Sequence, residues 1–354
     1  MKQTRLFRLA LLLTALSLAL GACGSDAPGE LVVLEWSGYE SEDFWGPYAE
    51  KYPDQAPVYS FFGDDSEGFA KAQSGFNFDV VHPCASWWQL YVDNGLMQPL
   101  DTSRLSNFDK LYPELAELGN IDGEQYFVPW DWGYESILVR SDLVPEMPTA
   151  WADLWDPQYA GHISTYDSSE AAYLFTALTL GIDPYNASDA DVEAIKQKLI
   201  ELKPNLLNYW VDYTEISQML AQGDVWMGVN TWSDSYAILL DEGYDVEYLQ
   251  PEEGRLGWVC GFGISADTTG EALDRAYDYI DAALDTQSMV NFGNEYYYGV
   301  SSMEATELLD PYIIELMDLN DPVAALNSTF FYQTISEEQR VTIENMWTEV
   351  KAGN

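Results

Sequence analysis

Aromatic residues end several of the apolar runs in this sequence. They are the pairs Trp36 and Tyr39, Trp87 and Trp88, and Trp130 and Trp132, with Trp232 and Trp258 standing alone. Ligand clefts in parallel α/β sheets open at the carboxyl ends of strands, and each aromatic face there can contribute about 0.5–2 kcal/mol to binding an organic cation. The set predicts a cleft for such a cation, although any single tryptophan is also open to a role in core packing.

Carboxylates accompany the aromatic residues. Asp131 and Asp234 stand beside tryptophans, and Asp167 and Glu170 stand at the start of a predicted helix that runs through residues 171–180. Facing a cleft, each carboxylate could accept charge-assisted hydrogen bonds from an ammonium group. The alternative for Asp167 and Glu170 is that they complement the helix dipole.

The charge balance is strongly acidic, with 15 Lys and Arg against 59 Asp and Glu. Such a field makes nucleic acid and anionic lipid surfaces poor partners. A hydrophobic content of 47% indicates a folded chain rather than a disordered one. We interpret most of the acidity as a means of solubility because it is spread along the whole chain; attraction of cations is the functional alternative.

Metal, cofactor and catalytic motifs find little support in the sequence. His82 and His162 lack the spaced partners of a metal site, and P-loop, GxSxG and HExxH motifs are absent. We therefore predict no metal, no cofactor and no enzyme activity. Cys84 and Cys260 could form a disulfide in an oxidising compartment, or remain two separate buried thiols.

The first residues have the pattern of a bacterial export signal. Three basic residues precede an apolar run at 9–20, which is too short to span a bilayer. The run ends in LGAC at 20–23, the lipobox pattern in which the cysteine is lipidated. We predict a signal peptide at 1–22 and a lipidated tether at 23–30, anchored through Cys23; an ordinary cleavage site is the alternative. This prediction places the protein in the periplasm or on the outer face of the cell membrane.

Short apolar runs followed by helical patterns predict an α/β fold with parallel strands. The predicted strands lie at 31–36, 78–81 and 225–229. Helices are predicted at 41–52, after the cap Ser188, at 273–284, and after a capping box formed by Ser336 and Gln339.

Several segments together resemble the spermidine/putrescine-binding proteins of ABC importers. The most specific is WADLWDPQYAG at 151–161, which matches a structural stretch of that family. Further matches are EWSGY (35–39), FDVV (78–81), VPWDWG (128–133), AQGDVWMG (221–228) and VKAGN (350–354). The resemblance extends over about residues 31–354 and is more specific for the family than for the ligand.

The resemblance implies a two-lobed, periplasmic-binding-protein-like α/β fold with a hinge and a ligand cleft between the lobes. Lobe one is placed at 31–137 and 260–304, and lobe two at 138–259 and 305–354. The implied protein is a monomer that contacts an ABC permease complex and touches the membrane only through its lipid anchor.

The resemblance also implies a set of ligand-binding residues. Those carried over by position are Trp36, Tyr39, Trp87, Asp167, Glu170, Trp232, Trp258, Tyr298 and Gln333. To these we add Asp234, because it is a carboxylate close to Trp232. In the family, the pair matching Asp167 and Glu170 grips one amine end of the ligand.

Two positions depart from the family pattern. Cys260 stands where the family usually has an aspartate, and Gly38 stands where many members have an acid at or near that position. A thiol is largely neutral and cannot replace a carboxylate against an ammonium. Asp131 or Asp234 are the candidates to compensate; otherwise the ligand carries fewer charges. By the resemblance, Cys84 and Cys260 both lie in lobe one near the ligand.

These observations predict a solute-binding protein that delivers a small organic cation, foremost a polyamine such as putrescine or spermidine, to an ABC importer. A binder of another small amine, amino compound or sugar is the alternative. An extracellular glycosidase is a further one, since Asp167 and Glu170 could mimic its paired carboxylates.

Overall fold

The computed structural model describes residues 30–353. The predicted signal peptide and Cys23 fall outside this range. The strands are β1 Val32–Trp36, β2 Val58–Phe62, β3 Val80–Val81, β4 Met97–Gln98, β5 Asn120–Ile121, β6 Glu124–Gln125, β7 Phe127–Arg140, β8 Ile163–Tyr166, β9 Leu206–Trp210, β10 Met227–Thr231, β11 Val246–Tyr248, β12 Arg255–Ser265, β13 Gly299–Val300 and β14 Thr329–Phe331. The α-helices are α1 Gly46–Lys51, α2 Asp65–Gln73, α3 Ala85–Asp93, α4 Pro113–Leu118, α5 Ser169–Leu180, α6 Asp189–Leu202, α7 Tyr213–Gln222, α8 Ser233–Asp241, α9 Gly270–Ala283, α10 Thr286–Tyr296, α11 Met303–Thr306, α12 Pro311–Leu316, α13 Pro322–Asn327 and α14 Glu337–Ala352.

The strands form two parallel groups that two long strands connect. The order is β2-β1-β3-β12-β7-β10-β8-β9. β1 pairs in parallel with β2 and β3, and β8 pairs in parallel with β9 and β10. β7 and β12 run antiparallel to each other, and both run antiparallel to their outer neighbours β10 and β3. The sheet is therefore mixed rather than wholly parallel.

The long strand β7 passes from one group to the other. Residues 127–135 pair with β12, whereas residues 136–140 pair with β10 and β11. The α/β architecture with two lobes is confirmed by this arrangement and by the structural comparisons reported below. The residue limits of the two lobes given above remain a prediction.

Local sequence signals explain where most helices begin. Ser188 caps α6 in a capping box with Asp191, and Ser336 caps α14 with Gln339. The helix predicted at 41–52 is a 3₁₀ turn, Glu42–Phe44, followed by α1, because Pro47 occupies the first turn, where its missing amide hydrogen is tolerated.

Three of the tryptophans that the sequence placed at strand ends lie in the core instead. Trp88, Trp130 and Trp132 are each no more than 2% exposed. Their indole nitrogens donate to the backbone carbonyls of Pro83, Ala283 and Val300 respectively. Because both the rings and their donors are satisfied internally, these three side chains position the strands rather than a ligand.

Two further properties bear on function. Within residues 30–353, no helix is both long enough and apolar enough to cross a bilayer. Across the same residues, no group of three or more His, Cys, Asp or Glu side chains is arranged to hold a metal ion.

Candidate ligand-binding site

The carboxyl end of β1 supplies the first wall of the site. Trp36 is half-buried, packs against Phe62 with ring centroids 4.6 Å apart, and donates from Nε1 to the carbonyl of His82 at 2.8 Å. Tyr39 follows after a turn and packs against Phe292 and Tyr296 at 4.9 and 4.8 Å. Both predicted residues thus lie at one strand end with part of each side chain accessible.

A buried charge network lies beneath this wall. His82 Nδ1 lies 2.7 Å from Glu35 Oε1, and its Nε2 lies 3.1 Å from Asp131 Oδ1. All three residues are at most 1% exposed. Burial alone would lower the pKa of His82, but the charges of Glu35 and Asp131 outweigh it and raise that pKa to about 10. Burial also raises the pKa values of Glu35 and Asp131, which the charge of His82 lowers only in part.

Asp131 lies next to the position of the family's missing acid. Cys260 of β12 lies directly opposite Asp131 of β7 in the antiparallel register, so both side chains project from the same face of the sheet. Among the described residues, Asp131 Oδ2 has no hydrogen-bond partner. The carboxylate absent at position 260 is thus present one strand away.

The two cysteines are joined in a disulfide. Cys84 directly precedes α3, and it and Cys260 also form an isolated antiparallel bridge. The Cys84 amide donates to Asp65 Oδ1 at 2.9 Å. The covalent bond therefore ties the start of α3 to the strand that carries Trp258.

Trp258 and Asp234 approach from β12 and α8. The ring of Trp258 meets Tyr298 at 4.8 Å, edge to face. Burial raises the pKa of Asp234 to about 6. Burial, followed by the negative charges of Asp234 and Asp131, raises the pKa of Tyr298 well above its usual value. The Tyr298 hydroxyl therefore lies within electrostatic reach of both carboxylates.

Glu135 is a candidate site residue beyond those predicted from the sequence. It lies 6% exposed on β7 and accepts hydrogen bonds from Tyr332 Oη at 2.6 Å, Asn230 Nδ2 at 3.3 Å and Trp232 Nε1 at 3.5 Å. Burial raises its pKa to about 7. An acid inside an otherwise apolar strand was the available signal, since such a residue is rarely buried without a partner.

Asp167 and Glu170 are drawn into contacts with the C-terminal helix α14. Asp167 Oδ1 accepts from Trp347 Nε1 at 2.8 Å and from Lys351 Nζ at 2.7 Å. Glu170 Oε2 lies 3.7 Å from Arg340. Both acids, which the resemblance assigned to an amine end of the ligand, therefore face cations of the chain itself.

The remaining predicted residues lie near the same end of the cleft. The Arg340 guanidinium covers the ring of Trp87 at 3.8 Å. Gln333 has an exposed side chain, and its backbone N–H donates to the hydroxyl of Tyr185 at 2.8 Å. The structure thus brings Trp87, Asp167 and Glu170 together beside α14 at one end of the site. Tyr39, Tyr298 and Trp258 are linked by ring contacts through Tyr296 at the other end, where Asp234 lies within electrostatic reach of Tyr298.

Two surface grooves lie away from these residues. One, of about 510 Å³, is lined by α1 and the start of α10. The other, of about 400 Å³, lies beside Arg255 and Asp318. Neither groove is lined by any predicted ligand-binding residue, so neither groove coincides with the candidate site.

Residues 64–308 match the family model described as bacterial extracellular solute-binding protein. The chain belongs to this family. The matched range contains Glu135, Asp234 and Trp258, whereas Trp36 and Arg340 lie outside it. The predicted family is therefore confirmed, and its members are named for binding a solute rather than for a reaction.

Individual solute-binding proteins are similar along nearly the whole chain. The spermidine/putrescine-binding periplasmic protein of Salmonella typhimurium is 24% identical over 347 residues, covering 97% of this chain and 98% of its own. The putrescine-binding periplasmic protein PotF of Escherichia coli is 26% identical over 344 residues, covering 91% of each. The crystal structure of PotD from Streptococcus pneumoniae superposes with a TM-score of 0.78 at 22% identity, covering 91% of this chain and 98% of that one. This last match confirms the solute-binding-protein fold.

Proposed function

We propose that this protein captures a small organic cation, foremost a polyamine such as putrescine or spermidine, and delivers it to an ABC importer. The observation that carries the proposal is a group of buried acids beside aromatic faces. Glu135 and Asp234 have no Lys, Arg or His ion-pair partner among residues 30–353. The buried Asp131 is paired with His82, and its Oδ2 has no hydrogen-bond partner among the same residues. The similarity to spermidine/putrescine-binding proteins supports the same ligand class.

Burial explains why these acids favour a cation. Removing an ionised carboxylate from water costs several kcal/mol unless a positive partner is supplied. An ammonium group supplies that partner, and the rings of Trp258 and Trp232 offer faces for the adjoining methylene groups. A neutral sugar would leave the acids uncompensated, because it offers hydroxyl groups and no charge.

The contacts of Asp167 and Glu170 argue against a glycosidase. That chemistry needs two carboxylates free to act on one bond. Asp167 is hydrogen-bonded to Trp347 and Lys351, and Glu170 faces Arg340. We therefore propose a binding protein without catalytic activity. From the family resemblance we also propose that it acts as a monomer.

Calorimetry with putrescine, spermidine, agmatine, glycine betaine and a neutral sugar tests the ligand class. We expect at least one of the cations to bind with a dissociation constant below about 100 μM, or about −5.5 kcal/mol. Native mass spectrometry of the purified protein should show a retained mass that matches it. Binding of the sugar at that level with no binding of any cation would overturn the proposal.

We propose that a lipid on Cys23 anchors the protein to a membrane on its non-cytoplasmic side. Replacing Cys23 with serine should release the protein from the membrane fraction, because the thiol is the acylated group. Fractionation followed by immunoblotting measures the release, and Ser25→Ala is the matched control that should stay membrane-bound. Membrane attachment of Cys23→Ser at the wild-type level would contradict lipidation.

A further inference from the structure

Arg340 is a buried cation inside the candidate cleft. It lies on the first turns of α14 and is 8% exposed. Its guanidinium covers the ring of Trp87 at 3.8 Å, and Nη2 donates to the carbonyl of Ser86 at 3.0 Å. Nη1 lies 3.7 Å from Glu170 Oε2. One side chain thus joins α14, α3 and the start of α5.

These three contacts are the ones that a bound ammonium group would make. An aromatic face, a carboxylate and a carbonyl oxygen together form a cation site. The resemblance assigned Trp87 and Glu170 to the ligand, yet Arg340 covers the ring of Trp87 and faces Glu170 Oε2, which leaves only Glu170 Oε1 without a partner among the described residues. Asp167, the other acid of that end, is likewise occupied by Lys351 at 2.7 Å.

The opposite end of the cleft differs. There Asp234 has no ion-pair partner among the described residues, whereas Asp131 is already paired with His82 at 3.1 Å. A second cation next to a fixed guanidinium would be repelled, since like charges held together cost several kcal/mol. The fixed guanidinium therefore disfavours a ligand cation beside Trp87, whereas Asp234 offers a carboxylate without an ion-pair partner in the described chain.

We propose that Arg340 permanently fills the cation position at Trp87, so that the protein selects short amines anchored at Asp234 against longer polyamines. This inference rests on the proposed function and narrows its ligand class. Arg340 acts as a specificity-determining residue because it takes the place of a distal ammonium group of the ligand.

Calorimetry with putrescine and spermidine on Arg340 variants tests the inference. Arg340→Gln and Arg340→Met remove the charge, and the second retains an apolar stem in case the first is unstable. Either variant should bind spermidine at least about tenfold more tightly relative to putrescine than the wild type does. Arg340→Lys keeps a cation and should retain the wild-type ratio.

Arg104→Gln is the matched surface control. Arg104 stacks on Tyr277 at 3.7 Å and pairs with Asp274 at 2.8 Å, outside the cleft. It should leave the ratio unchanged. If the Arg340→Gln and Arg340→Met variants bound both amines more tightly by the same factor, Arg340 would be a side chain that any ligand displaces. If the variants bound both amines more weakly, Arg340 would hold the ligand or the lobes. Either result overturns the inference. An unchanged ratio in a wild type that binds amines also overturns it but spares the proposed function, whereas a wild type that binds no amine overturns both.

Discussion

Replacing Asp234 with asparagine is expected to weaken the binding of an ammonium ligand by at least about tenfold, or about 1.4 kcal/mol. The amide retains the shape of the side chain but cannot neutralise an ammonium. Asp234 is partly accessible, close to Trp232 and Tyr298, and has no ion-pair partner in the described chain. Titration calorimetry of both proteins at pH 8 measures the difference.

The affinity of the wild type should also rise with pH. Burial raises the pKa of Asp234 to about 6 and that of Glu135 to about 7 in the free protein. Both acids are therefore mostly protonated at pH 5 and mostly ionised at pH 8, so the ammonium should bind more tightly at the higher pH. Binding near pH 6–7 should release protons, because the ligand stabilises the ionised forms.

Asp241→Asn separates local from long-range charge effects. Asp241 is exposed and lies at the end of α8, the helix that also carries Asp234. Its replacement by asparagine removes the same single charge from a chain of net charge −44. We expect its affinity and pH profile to match the wild type. Equal weakening in Asp234→Asn and Asp241→Asn would show that the general acidity of the protein, and not the site, attracts the ligand.

Replacing His82 with glutamine is expected to lower the free energy of unfolding by about 3–5 kcal/mol. Glu35 and Asp131 would then remain buried and facing each other without a cation. His82 lies 2.7 Å from the first and 3.1 Å from the second. Urea unfolding followed by tryptophan fluorescence measures the loss.

The stabilisation that His82 provides should decrease as the pH rises. The folded-state pKa of His82, about 10, exceeds its usual value of 6.5. The stabilisation from its charge is therefore fully present below about pH 6.5 and is lost as the pH rises towards 10. The difference between wild type and His82→Gln should shrink over that window. His162→Gln, which removes a histidine stacked on Trp226 at 3.6 Å, is the control and should change stability little. A pH-independent difference would mean that His82 is not charged in the folded protein.

The sequence predicted much of the fold because its signals are local. The capping residue Ser188 and the capping box at Ser336 marked two helix starts that the structure reproduces. The run at 31–36 gave β1, and the WADLW segment identified the family. Strand direction was predicted less well. The antiparallel pairing of β7 with β12 joins residues more than 100 positions apart, and no short pattern encodes it.

The types and neighbours of the aromatic and acidic residues were enough to propose candidates for a site, since both are written in the sequence. Which candidates lie together and which are buried in the core depended on the tertiary structure. Trp130 and Trp132 flank an acid as promisingly as any pair, yet strand register buries both rings in the core. Arg340, far along the chain, faces Glu170 because α14 packs against α5, and from there it covers the ring of Trp87 on α3. Whether a charge binds a ligand or another side chain depends on distances of a few ångströms between distant segments, and the fold alone sets those distances.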